Sequence, residues 1–86
     1  MGEQELLRRI SIDPEVMAGK PVIRGTRVPV ALILKMLGQG IPNEDVLAEY
    51  PQLEARDIDA ATTYAARVID HEDVIPLPAR DDLVPA

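Results

Sequence analysis

The chain contains no phenylalanine and no tryptophan, and only two tyrosines, Tyr50 and Tyr64. A core without large aromatic fillers has to be assembled from Leu, Ile, Val, Ala and Met, which favours small helices packed closely. With 86 residues there is room for one domain, and a domain of this size buries only a modest fraction of its surface. Its stability is marginal without a partner, so the expectation is a homodimer or higher oligomer.

The absence of cysteine removes disulfides and thiolate metal sites and fits a reducing compartment. No apolar run reaches the length of a membrane span, and residues 1–9 carry four charges in place of a signal-peptide core. The expected location is the cytoplasm. The net charge of -6 argues against a general polyanion binder, but its distribution is uneven. Residues 1–40 hold six basic and four acidic side chains, whereas residues 41–86 hold three basic and eleven acidic ones. Two readings stay open: two surfaces with different partners, or a solvated acidic helix surface and tail.

Along the chain, residues 1–8 are polar around Leu6 and Leu7 and are read as a flexible N-terminus. Ile10-Ser11-Ile12 and Val22-Ile23-Arg24 are short β-prone runs, closed by Asp13-Pro14 and by Gly25. Two such strands need a helix layer beneath them or strands from a second copy. After Pro29, the spacing of Val30, Ile33, Leu34 and Leu37 predicts a core-facing helix that ends at Gly38 and Gly40. Asn43 is placed to cap a second, short helix with Val46, Leu47 and Tyr50 inward, stopped by Pro51. A third helix is predicted from about Glu54 to His71, with Ile58, Ala61, Ala65 and Val68 as its stripe. The body is thus expected over residues 9–71, followed by an extended, proline-bearing tail over 72–86.

Catalysis has little to stand on. The one serine is Ser11 and the one histidine His71, there is no phosphate-cradling glycine loop, and Asp57 and Asp59 diverge on a helix. No catalytic residue, metal site or cofactor is expected. The helical half has the spacing of a helix-turn-helix, with Tyr50-Pro51-Gln52-Leu53 as the turn. At the start of its third helix only Arg56 suits DNA, among Glu54, Asp57 and Asp59. Lys20, Arg24 and Arg27 cluster on a strand-turn-helix corner and complete the candidate DNA-binding set. That corner is either an anion site or a packing device in which Arg27 pairs with a carboxylate of the third helix.

The residues Asp13-Pro14, Gly19-Lys20-Pro21, Ile23-Arg24-Gly25-Thr26-Arg27, Pro29-Val30, Tyr50-Pro51, Leu53, Ile58, Ala61 and Tyr64-Ala65-Ala66 carry a family likeness. Over roughly residues 9–71 the chain resembles the small prokaryotic proteins catalogued as domain of unknown function 433, many of them treated as VapB-type antitoxins. The resemblance implies a mainly α, homeodomain-like three-helix helix-turn-helix with a short N-terminal β element. It also implies pairing with a PIN-like ribonuclease toxin encoded alongside. The chain departs from the family at Glu54, where Ser or Thr commonly caps the third helix. The expected function is accordingly an antitoxin-like regulator that neutralises such a nuclease and binds its own operator DNA. The alternative is a protein-interaction adaptor with a vestigial helix-turn-helix and no DNA contact. Val74, Ile75, Leu77, Arg80 and Leu83 of the tail are the candidate partner-binding residues, with Arg80 delivered to the nuclease's metal-binding carboxylates; the alternative is that Val74-Ile75 folds back onto the body's own strands and residues 79–86 are disordered.

Overall fold

A computed structural model describes residues 2–71. The candidate partner-binding residues Val74, Ile75, Leu77, Arg80 and Leu83 lie outside the described residues. In chain order the elements are helix α1 (Glu3–Leu7), strand β1 (Ile10–Ser11), strand β2 (Val22–Ile23), and helices α2 (Val30–Gly38), α3 (Asn43–Glu49) and α4 (Ala55–His71). The molecule is mainly helical, with one two-stranded antiparallel sheet in which Ile10 pairs with Ile23 and Ser11 with Val22.

The sheet is short, and it survives because α4 backs it. Ile10, Val22 and Ile23 are buried, and β1 packs on α4. The turn after β2 is built by Gly25 and Thr26. The positive φ of Gly25, 81°, lets the Thr26 N–H return to the Ile23 carbonyl at 3.0 Å. The Thr26 hydroxyl donates to that same carbonyl at 2.7 Å and accepts from the Val28 N–H at 3.0 Å. Before β2 the backbone winds the other way. Met17, Ala18 and Gly19 have φ of 50°, 57° and 82°, a single left-handed turn in which two residues carry a Cβ.

In α2 the fully buried side chain is Ile33, flanked by Val30 and Met36, whereas Leu34 and Leu37 are half-buried. The apolar stripe is therefore rotated toward Met36 from the expected one. The helix closes as the two glycines suggest. Gly40, at φ 83°, lets its own N–H reach the Leu37 carbonyl at 3.0 Å and the Ile41 N–H reach Met36 at 3.1 Å. The start of α3 differs by one position. Pro42 is the cap and Asn43 the first helical residue, because the Pro42 carbonyl already accepts the Asp45 and Val46 N–H groups. No side-chain capping bond is made there.

The core joins Ile10, Ile23, Val28, Val30, Ile33, Met36, Val46, Leu53, Ile58, Ala60 and Ala61. Helix α4, 17 residues and about 25 Å long, is the spine on which α1, β1, α2 and α3 all pack. The first eight residues, expected to be flexible, instead carry α1. It is held to α4 by half-buried Leu6 and Leu7 and by an Arg67 to Glu3 ion pair at 2.7 Å. The sequence hides this helix because five residues are too few to show an apolar period.

Candidate functional site

The first turn of α4 organises one end of the molecule. Glu54 precedes the helix, and its backbone N–H donates to Oδ2 of Asp57 at 2.8 Å, so the third helical residue reaches back to cap the start. Leu53 and Ile58, buried on either side, staple the entry apolar-to-apolar. Asp57 thus makes the return half of a capping box, accepting the Glu54 N–H, whereas a Ser or Thr at position 54 would accept an N–H of the first turn. Asp57 is the one buried charged residue among the described residues, at 4 % exposure. Its other oxygen accepts from Arg9 Nη1 at 3.1 Å, and Glu54 Oε1 accepts from the same nitrogen at 2.9 Å. The Arg9 guanidinium is held above the usual arginine range, first by its hydrogen bond to Glu54 and then by that to Asp57. Of the two readings open for the Lys20, Arg24 and Arg27 corner, one paired Arg27 with a carboxylate of the third helix; the structure gives that pairing to Arg9, which follows α1 directly against the α4 start.

Arg24 is also committed to the body. Its Nε donates to the Arg8 carbonyl at 2.7 Å and its Nη2 to the Ile10 carbonyl at 2.9 Å, clamping the chain between α1 and β1. The planar fork of an arginine suits two carbonyls two residues apart. Of the other three cations singled out, Arg27 is exposed beside Gly25, Arg56 is exposed on the first turn of α4, and Lys20 is exposed near Val68 and Ile69 at the far end of that helix. They do not converge on one face. The acids Glu44, Asp45 and Glu49 of α3 and Asp59 of α4 are exposed as well.

The C-terminal half of α4 is different in character. Between it and α1 and β1 runs an apolar groove of about 490 Å³, floored by Leu7, Ile10, Tyr64 and Val68, with Arg67 and His71 on its rim. Ile12 lines it at 57 % exposure. Adjoining it across Tyr64 and Val68, which line both, a second apolar groove of about 360 Å³ lies against the start of α2, lined also by Pro29, Val30, Leu34 and Ala65. Neither was found by sequence reading. Among the described residues no three His, Asp or Glu side chains are grouped to hold a metal, and no helix is long and apolar enough to cross a membrane.

The profile of the family described as a protein of unknown function, DUF433, matches residues 10–65, well over half of the chain. The chain belongs to the DUF433 family. An uncharacterized protein of Sinorhizobium fredii, y4eO, is 38 % identical over 56 residues, which are 65 % of this chain but 25 % of that protein. The chain thus spans about a quarter of the curated relative it matches. The crystal structure of a DUF433 member from Anabaena variabilis superposes with a TM-score of 0.69 at 39 % identity, covering 78 % of this chain and 66 % of that one. The matched region of the family ends at residue 65, so it holds the sheet, the Gly25 turn and the α4 start but stops short of Val68 and His71.

Proposed function

We propose that this domain is a non-catalytic protein-docking module, the folded half of an antitoxin-like pair, and that its partner seats in the groove between α1, β1 and the C-terminal half of α4. The observation that carries this reading is the position of the groove. Its apolar floor, with Ile12 exposed, ends at His71, the residue from which the chain passes into 72–86 with Val74, Ile75, Leu77 and Leu83. A partner held by those tail residues meets the groove without interruption.

In this reading α2, α3 and α4 form a helix-turn-helix used as a scaffold. The engagement of Arg24 and Arg9 with the body, and the separation of Lys20 from Arg56 along α4, favour protein over operator DNA as the partner. The partner to try first is a PIN-like nuclease encoded beside the gene, as the family likeness implies.

The test is co-expression with such a nuclease, followed by affinity and nuclease assays on full-length protein, Ile12→Asp, a chain ending at His71, and Arg80→Ala. Ile12 is largely exposed, so its replacement leaves the fold standing. The reading requires that Ile12→Asp and the truncation each weaken binding about ten-fold or more. It requires that Arg80→Ala bind but silence poorly. Full binding and silencing by both Ile12→Asp and the truncation would defeat it.

A further inference from the structure

The groove between α2 and α4 carries its own plug. Ile69 stands on its rim at 71 % exposure, the most exposed of the large apolar side chains among the described residues. The hole beside it is made of half-buried Leu34, Ala65 and Val68 and of exposed Ala31. An apolar knob beside an apolar hole lets a surface meet a second copy of itself. A two-fold axis between two such patches seats each knob in the other's hole.

The charges agree with this pairing. Among the described residues Lys20 is the one cation lining this groove. Immediately after Ile69 comes exposed Asp70, and the next acids in sequence are Glu72 and Asp73. The C-terminal end of a helix also carries partial negative charge on its unpaired carbonyls. When Ile69 enters a second chain's groove, the acidic end of its helix arrives within a turn of that chain's Lys20. The resulting contact places opposite charges at the rim of an apolar centre.

We infer that the groove between α2 and α4 is the homodimer interface, closed by Ile69 of a second copy of this chain. This surface meets the proposed partner groove at Tyr64 and Val68, but Lys20, Ala31, Leu34 and Ile69 line only the α2 side, and the inference does not depend on that reading. It also supplies what the small, aromatic-poor core lacks, further apolar burial without further chain.

The test is sedimentation equilibrium of the full chain and of two variants, Ile69→Glu and Lys20→Glu, over about 1–100 µM. Wild type is expected to sediment at twice the mass of one chain in the upper part of that range. Ile69→Glu should associate about thirty-fold more weakly or not at all, as expected for losing a central anchor, with an unchanged far-UV circular dichroism spectrum. Lys20→Glu should weaken association about ten-fold, and it decides the matter if Ile69→Glu fails to fold. A wild type that remains monomeric at about 100 µM overturns the inference. So does an Ile69→Glu or Lys20→Glu variant that dimerises as tightly as wild type.

Discussion

Replacing Asp57 probes the device that starts the longest helix. One carboxylate oxygen accepts the Glu54 N–H at 2.8 Å, and the group sits on the third residue of α4, beside the positive end of the helix dipole. Losing a capping acceptor costs about 1 kcal/mol, and losing the negative charge at a helix start costs about 0.5 kcal/mol. Asp57→Ala forfeits both, for about 1.5 kcal/mol, and also releases its hold on Arg9. Asp57→Asn keeps an acceptor oxygen and forfeits only the charge, for about 0.5 kcal/mol. In a domain of this size each kcal/mol moves Tm by about 4–8 °C, so Ala should lower Tm by about 6–12 °C and Asn by about 2–4 °C. Thermal melts followed by circular dichroism at 222 nm read both values. Equal losses for Ala and Asn would mean that the backbone cap is not what stabilises the helix start. A Tm unchanged in both would refute the capping account altogether.

Arg24→Ala should destabilise the fold by about 1 kcal/mol in a urea titration, and Arg24→Lys should not rescue it, because an ammonium cannot span the Arg8 and Ile10 carbonyls. Ala18→Gly should leave the protein as stable or about 0.5 kcal/mol more stable, since relief of a left-handed alanine slightly outweighs the added freedom of the unfolded chain; a loss near 1 kcal/mol would contradict the left-handed turn. The raised pKa of Arg9 means its stabilising contribution is fully present below the ordinary arginine value and is lost only as pH rises through the raised one. The destabilisation caused by Arg9→Gln should therefore be the same at about pH 6 and about pH 9 in parallel urea titrations.

Periodicity and punctuation made much of the fold legible. Pro29, the Gly38 and Gly40 pair, and Pro51 bracket the three main helices, and the two short apolar runs fall where β1 and β2 lie. Local chemistry that needs a distant partner was not legible. Arg9 meets Glu54 and Asp57 across 45 and 48 residues, and no local pattern marks that meeting. The spacing of Glu54 and Asp57 did hold a clue, an acceptor three residues beyond the cap between Leu53 and Ile58, but acids there read first as charges and only second as caps. The corner of Lys20, Arg24 and Arg27 looked like one basic surface because its residues are near in sequence. In space Arg24 turns to the backbone and Lys20 faces the far end of α4. The two grooves escaped notice because each is made by elements far apart in the chain meeting one helix.

The most direct test of the docking account is an amide chemical-shift titration of the isotopically labelled chain with a PIN-like nuclease, the partner class proposed for it. The account predicts that perturbation or broadening centres on Leu7, Ile12, Tyr64, Val68 and His71, the residues around the first groove, and leaves Glu44, Asp45 and Arg56 nearly unmoved. A map centred on α3 and the first turn of α4 with the first groove silent would contradict it, as would the absence of any perturbation at saturating nuclease.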